Sequence, residues 1–182
     1  NTGSAAQGNL RYGVAITNAS GNTIGGTTAS ARNVISGNRQ NGIVIVGNSA
    51  ANNLVQGNYI GTNAAGTAAL GNHAAAIDIS NAPNNTIGGT TAGARNVIAG
   101  SEADAGVDIV GLMATGNGVE GNFIGTNAAG TASLGNIGGG VFIDVAPGNT
   151  IGGTTTGARN VISGNPNLGV VILGSDSTGN QV

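Results

Sequence analysis

The chain has 182 residues and a formal net charge of −2; 36 are Gly and 26 are Asn, while charged side chains make up 7% and aromatics 2%. Without Cys or Lys it can build neither a disulfide framework nor a Cys-based zinc or redox site, and its five Arg give no nucleic-acid footprint. No apolar run approaches the ~20 residues of a membrane-spanning helix, and 39% hydrophobic content at near-zero net charge argues against disorder.

The first predicted element is a strand over residues 13–17 (GVAIT), where β-branched residues alternate between Gly and Asn boundaries. A triplet of Asn, any residue and an aliphatic follows at Asn22, then a loop over residues 27–32 (TTASAR) and a second triplet at Asn33. The next strand, GIVIV, starts at Gly42. Its triplets, at Asn53 and Asn58, come before the loop, which occupies residues 62–72 (TNAAGTAALGN). The cycle then recurs. Strand AIDIS starts at Ala76, with triplets at Asn85 and Asn96 around loop 90–95; strand GVDIV starts at Gly106, with triplets at Asn117 and Asn122 before loop 126–136. Strand GVFIDV starts at Gly140, with triplets at Asn149 and Asn160 around loop 154–159; strand GVVIL starts at Gly169, with a last triplet at Asn180.

The stretches 22–38, 85–101 and 149–165 nearly superimpose, and the triplets at Asn22, Asn53, Asn85, Asn117, Asn149 and Asn180 are almost evenly spaced. A fixed period of this kind specifies a solenoid. Three short strands per unit, with no segment long enough for a crossover helix, predict an all-β fold: a parallel β-helix of about 5.5 coils. Alternate side chains of each strand point inward. Val14 and Ile16 should therefore stack on Ile43 and Ile45, Ile77 and Ile79, Val107 and Ile109, Val141 and Ile143, and Val170 and Ile172. The other faces stack Ile24, Val55, Ile87, Val119 and Ile151, and Ile35, Ile60, Ile98, Ile124 and Ile162. Corners as tight as Gly57–Asn58 call for positive φ at Gly and Asn, and the triplet Asn side chains should bond along the stack as a ladder. The outward stripe Val34, Tyr59, Val97, Phe123 and Val161 should be covered by the inserted loops, with Leu70 and Leu134 as anchors. Tyr59 and Phe123 then serve packing rather than sugar stacking. Residues 1–182 should form one domain. Residues 1–9 align with 64–72 and residues 169–182 with 42–55, as in a segment cut from a longer repeat protein without capping coils.

The strings NTIGGTTAGARNVIAG, GIVIVG and GNYIGTNAAGTAALGN resemble the repeats of right-handed parallel β-helix proteins, large secreted or surface proteins of bacteria. The resemblance spans essentially the whole chain. It implies a right-handed coil and a secreted or cell-surface location. Through the wider superfamily of pectate lyases, polygalacturonases, uronan epimerases and phage tailspikes, it also implies carbohydrate contact. Asn63 and Asn127 stand where loops of that family often carry Asp, a departure that weakens a loop calcium site.

Candidate chemistry is sparse. Asp78 and Asp108 share an outward strand position on successive coils, and Asp144 lies one coil further and two positions along. Such carboxylates could share a proton or hold Ca²⁺, marking a remnant polysaccharide or cation site; alternatively they are solvated acids that blunt a flat sheet face. Arg32, Arg95 and Arg159 recur two coils apart, either as a guanidinium ladder for an anionic sugar or as loop residues whose planar forks hold carbonyls or an acid. His73, the single His, has Ile137 as its repeat counterpart, so no triad or metal site builds on it. Thr pairs recur only in loops, every second coil, so an ice-binding file on a strand face is missing.

The expectation is a non-catalytic structural or display segment with no cofactor (Ca²⁺ being the one ion considered), no nucleic-acid partner and no membrane insertion. The alternative is a carbohydrate-binding or polysaccharide-processing β-helix whose site is lost or degenerate, with polysaccharide as partner; ice binding ranks third. Uncapped strand edges predict end-to-end self-association.

Overall fold

A computed structural model describes residues 7–182, so the alignment of residues 1–9 with the loop at 64–72 falls largely outside the described residues. The chain winds as a parallel β-solenoid of three sheets, one strand per sheet per coil. The first sheet has six strands: Val14–Thr17, Ile43–Val46, Ile77–Ser80, Val107–Val110, Val141–Asp144 and Val170–Leu173. The second sheet has five: Thr23–Gly25, Leu54–Gln56, Thr86–Gly88, Gly118–Glu120 and Thr150–Ile151. The third sheet comprises the short strands Val34–Ile35, Tyr59–Ile60, Val97–Ile98, Phe123–Ile124 and Val161–Ile162. At Asn180 the expected triplet strand is reduced to a single parallel bridge between Thr150 and Gln181.

The register is the one the alternation dictates. Ile16 pairs with Ile45, Ile45 with Ile79, Ile79 with Ile109, Ile109 with Ile143 and Ile143 with Ile172. Ile24, Val55, Ile87, Val119 and Ile151 stack on the second face, and Ile35, Ile60, Ile98, Ile124 and Ile162 on the third. Apart from Ile172, which is exposed, and Ile162, which packs partly buried against the rest, they form one continuous aliphatic core with Ala50, Ala82, Ala114 and Ala146. Burying each Ile or Val stabilises the fold by roughly 1.5–3 kcal/mol, which explains how a tube so narrow holds together without aromatic side chains inside.

The corners carry the polar counterpart of that core. At the corner entering the second sheet, the Oδ1 of each Asn accepts both the backbone N–H and the Nδ2 of the Asn one coil earlier: Asn53 from Asn22 at 2.9 and 2.9 Å, Asn85 from Asn53 at 2.9 and 2.9 Å. The chain of bonds continues through Asn117 and Asn149 and ends on Asn180, which accepts only the backbone N–H of Asn149. A second ladder enters the third sheet through Asn33, Asn58, Asn96, Asn122 and Asn160. Every bond points the same way along the axis, so neighbouring amides polarise one another. Gly57 does turn the corner with φ +70°, but Asn58 does not share the positive φ expected of it. It is a ladder rung instead, its Nδ2 donating to Ile24 O at 2.9 Å as well as along the stack.

A third ladder, which the triplet pattern does not mark, precedes the first sheet. It runs Asn9–Asn38–Asn72, breaks at Ser101, and resumes as Asn136–Asn165. Ser101 passes its backbone N–H to Asn136, but its buried Oγ has no partner.

The inserted loops form an outer layer over the third sheet. Each short loop contains one 3₁₀ turn, at Ala29–Ala31, Ala92–Ala94 and Thr156–Ala158. The longer loops close on themselves by antiparallel bridges, Thr62 to Ala69 and Thr126 to Ser133, and touch each other where Ala128 N donates to Gly66 O at 2.9 Å. The loops cover the outward stripe only in part, leaving Val34 39% exposed, and by a different contact from the one expected. Gly66 lies against the Tyr59 ring and Gly130 against the Phe123 ring. Leu70 and Leu134, expected as anchors, fasten the loops through their backbones, donating to Gly61 O and Gly125 O.

Candidate functional site

Asp78 and Asp108 are outward residues of adjacent strands and stand directly in register, about 4.8 Å apart along the axis. Asn41 Nδ2 donates to Asp78 Oδ2 at 3.2 Å, and the backbone of Ala105 donates to Asp108, whose buried Oδ1 has no partner. The corner before Asp108 brings in a third carboxylate, Asp104. A small cavity of about 170 Å³ opens here, lined by Asp104, Asp108, Gly138 and Phe142 among others.

Burial, reinforced by the charge of Asp104, pushes the Asp78 carboxyl up to about 6. Burial, then Asp104 and Asp78, pushes Asp108 up to about 7, opposed only by its hydrogen bond from Ala105. The two aspartates are therefore not freely solvated acids. Near neutral pH they are two partly protonated groups on one sheet face, because adjacent carboxylates in a poorly solvated place resist ionising together.

Asp144 does not join them. It pairs in register with Val110 and Leu173, while Phe142 occupies the position opposite Asp108. Among the described residues no group of three or more His, Asp or Glu side chains is placed to hold a metal ion, so Asp78, Asp104 and Asp108 do not converge into a Ca²⁺ cage. The loop Asn residues have another use. Asn63 Oδ1 accepts the Thr67 N–H at 2.9 Å and its Nδ2 meets Thr67 Oγ1 at 3.1 Å; Asn127 does the same with Thr131 at 2.9 and 3.2 Å. Each closes its own loop with its amide.

Two of the three recurring Arg residues are engaged by contacts within the molecule, while Arg159 is exposed. Arg32 stacks 4.0 Å above the Tyr59 ring and donates from Nε to Gly57 O at 3.3 Å; Arg95 lies 4.2 Å above Phe123 and donates to Gly121 O at 3.2 Å. The carbonyl-holding role thus fits Arg32 and Arg95. The aromatic partner was missed in the sequence, although it is visible there: coils bearing the Arg loop alternate with coils bearing Tyr59 or Phe123. Asp104 was missed because it lies in a corner segment outside the strand pattern. His73 pairs with Glu102, Nδ1 to Oε2 at 3.3 Å, and both are exposed. Comparison of the chain with protein-family models, with curated proteins and with solved structures finds no match.

Proposed function

We propose that this chain is a non-catalytic structural segment, a rigid rod of stacked coils that extends or displays other parts of a secreted or surface protein of bacteria. One observation carries this reading. The chemistry that repeats from coil to coil is spent on holding coil to coil: the Asn amides form ladders, and Arg32 and Arg95 cover Tyr59 and Phe123. Two of the three members of the apparent guanidinium ladder, Arg32 and Arg95, are thus packing contacts. The solenoid architecture and the repeat strings support descent from the right-handed β-helix repeat proteins that the sequence resembles, and with it a secreted location.

A second reading, carbohydrate binding with a degenerate site, is favoured by the acid pair beside the cavity at Asp104 and Phe142. A glycan array and a Ca²⁺ titration on the wild type and on Asp108→Ala separate the two. The structural role expects no response from either protein. Clear glycan or Ca²⁺ binding that Asp108→Ala abolishes would overturn it.

A further inference from the structure

One corner carries a column of side chains that do not repeat. The residue following each rung of the third ladder reads, coil by coil, Leu10, Arg39, His73, Glu102, Ile137 and Pro166. Backbone bonds from Arg39 to Asn9, His73 to Asn38, Glu102 to Asn72 and Ile137 to Ser101 stack this column in register. Beside Arg39, at the foot of the loop at residues 62–72, lies a groove of about 530 Å³ whose lining includes Arg39, His73, Glu102, Ala69, Leu70 and Gly71. That volume lies within the range of small-ligand sites.

The internal repeat supplies a built-in comparison. At the equivalent foot of the loop at residues 126–136, Ser133 replaces Ala69 and its Oγ ties the loop to Gly164 O at 2.8 Å. Ile137 and Pro166 stand there in place of His73 and Glu102, and Glu102 in place of Arg39. The first groove thus has a cation, an apolar floor and an anion where the second has no cation at all. The Arg39 guanidinium has no partner among the described residues. Glu102 is steadied by His73 and keeps its other oxygen for a ligand.

We propose that the groove between Arg39 and Glu102 binds a short extended peptide through its two free ends, the terminal carboxylate on Arg39 and the terminal ammonium on Glu102. This goes beyond the structural role, which stands whether or not the site exists. The backbones of Arg39 and Glu102 stand two coils apart, roughly 10 Å at the strand spacing, which sets the scale of the groove. A tripeptide extended at about 3.3–3.6 Å per residue spans that length. The Arg fork matches a carboxylate in bidentate fashion, and Ala69 and Leu70 face the middle of the peptide.

The test is calorimetric titration of the whole chain with trialanine, its N-acetylated form and its C-terminal amide. Trialanine is expected to bind. Either cap, Arg39→Gln or Glu102→Gln should each weaken binding by about tenfold or more, the share of one charge-assisted hydrogen bond, while Asp176→Asn leaves it unchanged. Both groove variants change exposed side chains, and an unaltered melting temperature would show that they fold. Absence of binding, equal binding of capped and free peptides, or a folded groove variant that binds as the wild type does would overturn the proposal.

Discussion

Val145 is a β-branched residue at φ +53° in a column otherwise made of Asn and Gly. Asn18, Gly47, Asn81, Gly111 and Gly174 occupy the equivalent corner with positive φ. The left-handed region costs an L-residue roughly 1–2 kcal/mol, less for Asn, whose short side chain bonds locally. Val145→Asn is therefore expected to stabilise the protein by about 1 kcal/mol in denaturant titration, and a loss of stability would show that the Val side chain outweighs the strain. A second pair of residues compensates across a coil. At the foot of the first sheet, a Cβ on Gly13, Gly42 or Gly106 would lie 2.9, 2.8 or 2.9 Å from the Nδ2 of Asn38, Asn72 or Asn136. Ala76 is the one residue there with a Cβ in place, and opposite it the ladder carries Ser101 in place of Asn. Ser101→Asn alone should destabilise, whereas Ala76→Gly with Ser101→Asn should complete the ladder and exceed the wild type by about 1 kcal/mol. The four-variant cycle tests this: additivity within ~0.5 kcal/mol would refute the coupling.

At the level of strands and ladders, most of the fold was legible because two short-range rules coincide. Period-2 alternation selected Ile45, Ile79 and Ile109 for the core, and the near-constant return of the triplet Asn from Asn22 to Asn180 determined which strand lies over which. The third ladder escaped because Ser101 interrupts it and no aliphatic triplet marks its rungs. The state of the acid pair was legible only in part. Sequence placed Asp78 opposite Asp108, but their burial and the approach of Asp104 depend on a corner whose path no periodicity dictates. This pair gives the first sheet a pH dependence. Both carboxyls have folded-state values above their unfolded ones, so the stability they contribute is full below about pH 3.8 and lost as pH rises through about 6 for Asp78 and about 7 for Asp108. Between pH 5 and pH 8 the protein should lose on the order of 2 kcal/mol, allowing for solvent screening. Asp108→Asn should flatten most of that slope. Thermal melts across this range check it, and a wild type whose stability rises from pH 5 to pH 8 would contradict the sign.

For the molecule as a whole, the core is a column without internal divisions. The two-coil alternation has a consequence for how such a rod changes length. Arg32 must meet Tyr59, and Arg95 must meet Phe123, so a coil with a short loop has to be followed by one with a long loop. Losing a single coil would bring two short loops together and strand a guanidinium without its ring. A deletion or duplication that spans one short-loop coil and one long-loop coil leaves every such pairing intact. The natural quantum of unequal crossing-over in this gene is therefore the pair of coils, and homologues of different length should differ by whole pairs.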